Sequence, residues 1–176
     1  MDKLSKQRRS WVMSRVKGKN TEPEKRVRLW LYRQGYRYRK NVSTLPGKPD
    51  IVFRKYRAVV DVRGCFWHRH ANCKIATMPQ SNSKFWWKKF NANMGRDIEN
   101  ERKLKALGWI VIVVWECELE AGFEKTMQRI VTVLERQRTH MAESRRAKQE
   151  GQKLPQKLRY DDLEDSCEMM MVAETD

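Results

Sequence analysis

The chain has 176 residues and carries 38 Lys and Arg against 22 Asp and Glu, a formal net charge of +16. A field of that size attracts polyanions and repels cationic partners, which puts nucleic acid first and a membrane surface second. No apolar run approaches the ~20 residues of a membrane span, and the basic start MDKLSKQRRSW lacks the apolar segment of a secretory signal. With 40% hydrophobic residues and seven Trp, the first two thirds of the chain are not disordered. The charge is uneven. Residues 1–120 hold 28 Lys and Arg and 11 acids, whereas residues 121–176 hold 10 and 11. Four cysteines in a chain with cytoplasmic character favour a metal site over disulfides.

Residues 1–20 form a basic N-terminal arm or short helix with an apolar Trp11, Val12, Met13, Val16 set. Thr21-Glu22-Pro23-Glu24 has the form of a capping box with Pro in the first turn. Val27, Trp30 and Leu31 follow at helical spacing and Gly35 stops the run, so the pattern predicts a helix over 22–34. Tyr36 to Val42 alternates aromatic and basic residues, as a strand with one wet face does. LPGKP (45–49) is a turn, and strands are predicted at 50–53 and 58–62. Residues 64–82 read as irregular. A long helix over 85–107 places Trp86, Phe90, Met94, Ile98, Glu101, Leu104 and Leu107 on one face. Trp109 to Trp115 is a continuous apolar run, read as a central strand buried on both faces. A last amphipathic helix carries Phe123, Met127, Ile130, Val131 and Leu134, and from about 137 the chain reads as a charged, flexible tail to 176. The order predicts an α/β fold, a mixed sheet with helices on its faces, in one domain over 21–136.

Cys65-x4-His70-x2-Cys73 puts three soft ligands on one loop, and Cys117 follows just past the buried run. Three thiolates and one imidazole make a closed set of the kind that holds structural zinc. The plain alternative is ordinary buried cysteines beside a surface histidine. His68 is two residues from His70 and could replace it as ligand; with His70 as the ligand, His68 is left free on a constrained loop, suited to proton transfer.

Pro49-Asp50, ten residues, then Asp61-x-Arg63 approximates the carboxylate spacing of metal-dependent nucleases. Phosphodiester cleavage needs a hard cation that neutralises developing charge and acidifies an attacking water. An Asp after Pro is equally a turn residue, and Glu24 is fully explained as half of a capping box. Phe66-Trp67 inside the cysteine loop, and Trp86-Trp87 among Lys84, Lys88 and Lys89, join rings to cations as nucleic-acid-binding surfaces do.

At these residues a resemblance becomes specific. LPGKPD (45–50), GCFWHRHANCK (64–74), FWWKKFNANMGRD (85–97) and LGWIVIVVWECEL (107–119) resemble the very-short-patch-repair (Vsr) endonucleases, and RSWVMSRVKGKNTEPEKRVR (9–28) is similar to the family's N-terminal segment. The likeness runs from about residue 8 to about 135. It implies a restriction-endonuclease-like fold and a DNA repair enzyme that nicks the duplex 5′ of the thymine in a T·G mismatch left by 5-methylcytosine deamination. It implies catalytic magnesium at Asp50 and the Val62 backbone carbonyl, His68 as general base, and Glu24 holding metal-bound water. It implies structural zinc at Cys65, His70, Cys73 and Cys117. Phe66, Trp67 and Trp86 would wedge into the duplex, with Met13 reaching the opposite groove. The family implies a functional link to a cytosine-5 DNA methyltransferase, no membrane, and a cytoplasmic monomer. Position 63 departs from the family: it is Arg where His is usual. Arg cannot deprotonate water, so the expectation there is a bidentate clamp on the scissile phosphate. Two other readings stand beside this one, a nuclease of the same fold with another DNA target and a non-catalytic zinc-stabilised DNA-binding module. The acidic end, 161–176, is expected to lie over the basic cleft.

Overall fold

The computed structural model describes residues 5–16 and 18–149. The acidic end and the leading four residues lie outside the described residues. Helix α1 spans Lys6–Ser14 and α2 spans Glu22–Arg33. The capping box at Thr21–Glu24 is formed, with Pro23 in the first turn, and Val27 and Leu31 point into the core. Strand β1, Ile51–Phe53, turns through a short 3-10 segment into β2, Ala58–Arg63. A one-turn helix, α3 (Cys65–His68), leads to the long α4 (Ser83–Ala106), then β3 (Ile110–Trp115), α5 (Glu116–Ala121) and α6 (Phe123–Gln149).

The three strands form one mixed sheet in the order β1-β2-β3. β1 pairs antiparallel with β2, and β2 runs parallel to β3 from Ala58↔Ile110 to Arg63↔Trp115. Alternate side chains divide two cores. Ile51, Phe53, Val60, Ile112 and Val114 pack with Val27 and Leu31 of α2 and with Met127, Ile130 and Leu134 of α6. Val52, Val59 and Val111 pack on the other face with Leu104 of α4. Among the described residues, no helix is long and apolar enough to cross a membrane.

Four details differ from the expectation. Residues 36–42 form no strand: one bridge joins Arg39 to Val52, through N–H to O contacts of 3.0 and 2.8 Å. The left-handed turn at Asn41 (φ 46°) and the brevity of β1 leave nothing longer to pair with. The alternation instead records Tyr36 and Tyr38 lying edge-on to Phe53 at 6.2 and 6.0 Å. The apolar run at 110–115 is the edge of the sheet, not its centre; it reads as buried because helices cover both faces. On α4, Ile98 and Leu107 are exposed at 68% and 52%, while Asn93 is buried. Its inward side mixes Phe90 and Leu104 with Asn93; a search for apolar periodicity finds the first two and misses the third. Finally, α6 continues past 137 to Gln149, because Glu, Arg, Lys, Gln and Ala are strong helix formers and pairs such as Arg138–Glu135 (2.6 Å) support it.

These assignments separate two isoleucines. Ile130→Ala removes a fully buried side chain and should cost about 2–5 kcal/mol. Ile98→Ala should stay within about 0.5 kcal/mol of the parent. Urea unfolding of both variants checks the placement.

Candidate active site and metal centre

The carboxyl end of β2, the loop before β1, α3 and the inner face of α4 enclose a cleft of about 1240 Å³. Asp50 opens onto it at the head of β1. Its Oδ2 accepts a 2.8 Å hydrogen bond from the Val62 N–H, which joins the two strand ends. Burial, and then the neighbouring Asp61 carboxylate, push the Asp50 pKa up to about 7, while the Val62 N–H and the more distant Arg28 pull it down. A buried carboxyl group beside another carboxylate is charged readily only when a cation joins it.

Glu24 also lines the cleft, but its oxygens are heavily used. Oε2 accepts from Asn20 N–H at 2.9 Å and from Arg28 Nη2 at 3.2 Å, and Oε1 accepts from Thr21 N–H and Oγ1 at 3.2 and 2.8 Å. Those bonds cap α2 and bury a salt bridge.

His68 closes α3. Its Nδ1 lies 2.6 Å from Asp97 Oδ2. A carboxylate only accepts, so the proton of a neutral imidazole sits on Nδ1 and the Nε2 lone pair is left for a substrate. Asp97 is a site residue that the sequence reading missed. Its signal was present in the spacing Asn93, Asp97, Glu101, a polar row at i, i+4, i+8 on a helix scanned for apolar ones.

Arg63 stands differently from the expectation. It is 7% exposed. Its Nε donates to Asp61 Oδ2 at 2.9 Å and its Nη2 to Glu101 Oε1 at 2.8 Å. Burial works against its charge, but Asp61 and Glu101 outweigh that and hold its pKa above the ordinary value. Two carboxylates thus hold its Nε and one Nη2 donor, and Nη1 lies outside both contacts.

Behind the cleft, Cys65 Sγ, His70 Nδ1, Cys73 Sγ and Cys117 Sγ lie within 4.8 Å of one another. Sγ of Cys65 is 3.7 Å and Sγ of Cys117 is 3.2 Å from His70 Nδ1. Ligand atoms about 2.0–2.3 Å from a tetrahedral ion are separated on this scale, so the donor set fits a metal. Of the two histidines it is His70 that joins the cysteines; its ring stacks on Trp115 at 4.2 Å. Without a cation, burial pushes the Cys65 thiol up to about 12 and raises Cys117, whereas the Ile75 N–H lowers Cys73. A bound cation would reverse that logic and hold all three as thiolates.

The aromatic residues gather between the two centres. Phe66 lies 5.1 Å from Trp67, 5.4 Å from Trp86 and 5.1 Å from the buried Phe90, all nearly edge-to-face. Trp67 borders the cleft, as do Lys19, Lys48, Lys89 and Arg96. Met13 stands on α1, 37% exposed. On the same helix Arg8 and Arg15 sit over the Trp11 ring at 4.6 and 3.8 Å.

The position of Asp50 has a pH signature. Its folded pKa lies above its unfolded value, so its stabilising contribution is complete below the unfolded value near 3.8 and is lost as pH rises through about 7. Without added divalent cation, Asp50→Asn should therefore melt above the parent at pH 8, with the gap closing toward pH 5. Calorimetry across that range checks the sign.

A family model described as DNA mismatch endonuclease Vsr matches residues 1–74. The type II nicking enzyme V.NmeAIP of Neisseria meningitidis is 49% identical over 119 residues, which cover 68% of this chain and 84% of that protein. The type II nicking enzyme V.XorIIP of Xanthomonas oryzae pv. oryzae is 50% identical over 118 residues, 67% and 86% of the two chains. The DNA mismatch endonuclease Vsr of Escherichia coli is 38% identical over 131 residues, 74% of this chain and 83% of that protein. With Asp50 on the cleft, an oriented His68 imidazole and a Cys/His cluster in the fold, the chain belongs to the Vsr family of DNA endonucleases.

Proposed function

We propose that this protein is a magnesium-dependent mismatch endonuclease that nicks double-stranded DNA 5′ of the thymine in a T·G mismatch, on a restriction-endonuclease-like scaffold. The observation that carries the reading is the His68–Asp97 pair in the same basic-walled cleft as Asp50. A protein that only bound DNA would have no use for an oriented imidazole and a cluster of carboxylates facing phosphates.

In this reading Asp50 and the Val62 carbonyl would hold magnesium, which would supply charge neutralisation at the scissile phosphate and acidify an attacking water. His68 takes the water proton at Nε2 while Asp97 keeps Nδ1–H in place and stabilises the imidazolium. The oxygen bonds to phosphorus as one ester P–O bond breaks, and the departing oxygen leaves protonated from solvent. Glu24, which lines the cleft, would hold water bound to that ion. Phe66, Trp67 and Trp86 wedge beside the mismatch, whose weaker stacking costs less to open, and Met13 enters from the other groove. Deamination of the 5-methylcytosine left by a cytosine-5 methyltransferase would supply the substrate.

Zinc is the ion we assign to Cys65, His70, Cys73 and Cys117, in a structural role. Elemental analysis should find one zinc per chain. Cys117→Ser should lose it and unfold at lower temperature. Retention of full zinc content by that variant would refute the ligand set.

The function is tested on one gel. A strand-labelled duplex with a single T·G mismatch is incubated beside T·A and C·G controls, with and without magnesium. The expected product is one nick immediately 5′ of the mismatched thymine, only with magnesium. Asp50→Ala should abolish it while duplex binding persists. Equal cleavage of the matched duplexes would point instead to a nuclease with another target. Trp67→Ala should weaken mismatch binding by roughly 5–150-fold, the worth of one base stack.

A further inference from the structure

Three successive turns of α4 each hold one group of the segment that carries the chemistry. Asn93 Nδ2 donates to the Trp67 carbonyl at 2.9 Å, Asp97 Oδ2 holds His68 Nδ1 at 2.6 Å, and Glu101 Oε1 accepts from Arg63 Nη2 at 2.8 Å. The spacing i, i+4, i+8 puts all three on one stripe of the helix. The groups they hold, at 63, 67 and 68, belong to the end of β2 and to α3.

The lowest of these rungs differs from the others in its number of partners. Arg63 is nine-tenths buried, one of its donors reaches Glu101, and its Nε is fastened to Asp61 on its own strand. Buried, charge-assisted bonds to two partners fix a guanidinium more tightly than a bond to one does. Arg63 also faces Trp115 across the β2–β3 pair, the residue on which His70 stacks. The rung therefore ties the sheet to α4 one turn below the aspartate that orients His68.

We propose that Arg63 is a positioning residue: through Glu101 it sets α4 against β2, and thereby sets the His68–Asp97 pair relative to Asp50. It acts as the resident counter-cation of Asp61 and Glu101 and makes no contact with the scissile phosphate. This rests on the reading of His68 as base and deepens it. A phosphate clamp and a positioning rung make opposite statements about Glu101. If Arg63 gripped phosphate, removing the carboxylate would free the guanidinium for that task. If Arg63 acts through Glu101, removing either partner has the same consequence.

The test uses the full chain with Arg63→Met, Arg63→Lys, Glu101→Gln and the Arg63→Met/Glu101→Gln double variant. Steady-state nicking of the T·G duplex separates kcat from KM. Both single substitutions are expected to lower kcat by a similar factor, up to the roughly 100-fold that small misplacements cause, with KM within about twofold. The double variant should be no worse than either, as non-additivity in a shared interaction requires. Arg63→Lys should recover part of the loss. A second readout needs no cleavage: in the free protein, the downfield imidazole N–H signal of His68 should broaden in Arg63→Met and Glu101→Gln and vanish in Asp97→Asn. Glu101→Gln with parental kcat and a sharp His68 signal overturns the proposal, whatever Arg63→Met does. A raised KM and weaker binding in Arg63→Met alone would restore the phosphate clamp. If the unsubstituted protein fails to nick while the His68 signal still responds, the proposed function falls and the rung stands.

Discussion

Carboxylates that must face a phosphate backbone are the constraint on which this site is built. Each one in the cleft needs its charge answered from within the fold, or DNA would be repelled by the surface meant to cut it. Glu24 is answered by Arg28 and the amides of the α2 cap. Asp61 and Glu101 share Arg63. Asp97 faces the imidazole of His68. Asp50 is treated differently: its hydrogen bond comes from a backbone N–H, and a neutral dipole only partly offsets a buried charge beside Asp61. Its pKa near 7 follows directly. The fold offsets the charge of the supporting acids in part, and meets Asp50 with a backbone N–H.

The partners that do the neutralising also set the architecture. Arg28 is on α2, Arg63 on β2, and Asp97 and Glu101 on α4, so every answered charge is a tie between elements or within a cap. The Cys/His cluster lies at the far end. It gathers the loop after α3 to the start of α5, where Cys117 lies, against the ring of Trp115. Of residues 64–82, Cys65 is buried in the core, and the Cys/His cluster and polar contacts such as Asn93 to Trp67 hold the stretch in place.

How much of this the sequence discloses depends on the kind of signal. Apolar periodicity places the α2, β1, β2 and α6 contributions to the larger core, and the capping box at Thr21 is visible as letters. Cysteine spacing discloses the thiolate set, but not which histidine completes it, because two imidazoles two residues apart are separated only by the reversal of the chain at Arg69 (φ 54°). Pattern reading places Phe90 and Leu104 of α4 correctly in the interior and misplaces Ile98, which is exposed. The buried Asn93 and the partly buried Asp97 are held by specific bonds and not by transfer from water, so a search for apolar letters passes over them. Likewise the alternation at Tyr36–Tyr38 is real, but it reports rings on Phe53 and no ladder.

The same logic governs Arg63. Counted as letters, Asp61-x-Arg63 looks like a cation offered to phosphate in a basic protein. Placed in three dimensions, a net positive charge of one on Arg63 meets two carboxylates, so the local triad is negative, not positive. The positive field that gathers DNA must then come from residues without such partners in the cleft floor, and the rim supplies Lys19, Lys48, Lys89 and Arg96. Attraction at the rim and negative charge at the floor suit the proposed cation-dependent cleavage: in that reading the duplex would be drawn in by charges that do not touch the scissile group, and a divalent ion would reconcile the floor with phosphate.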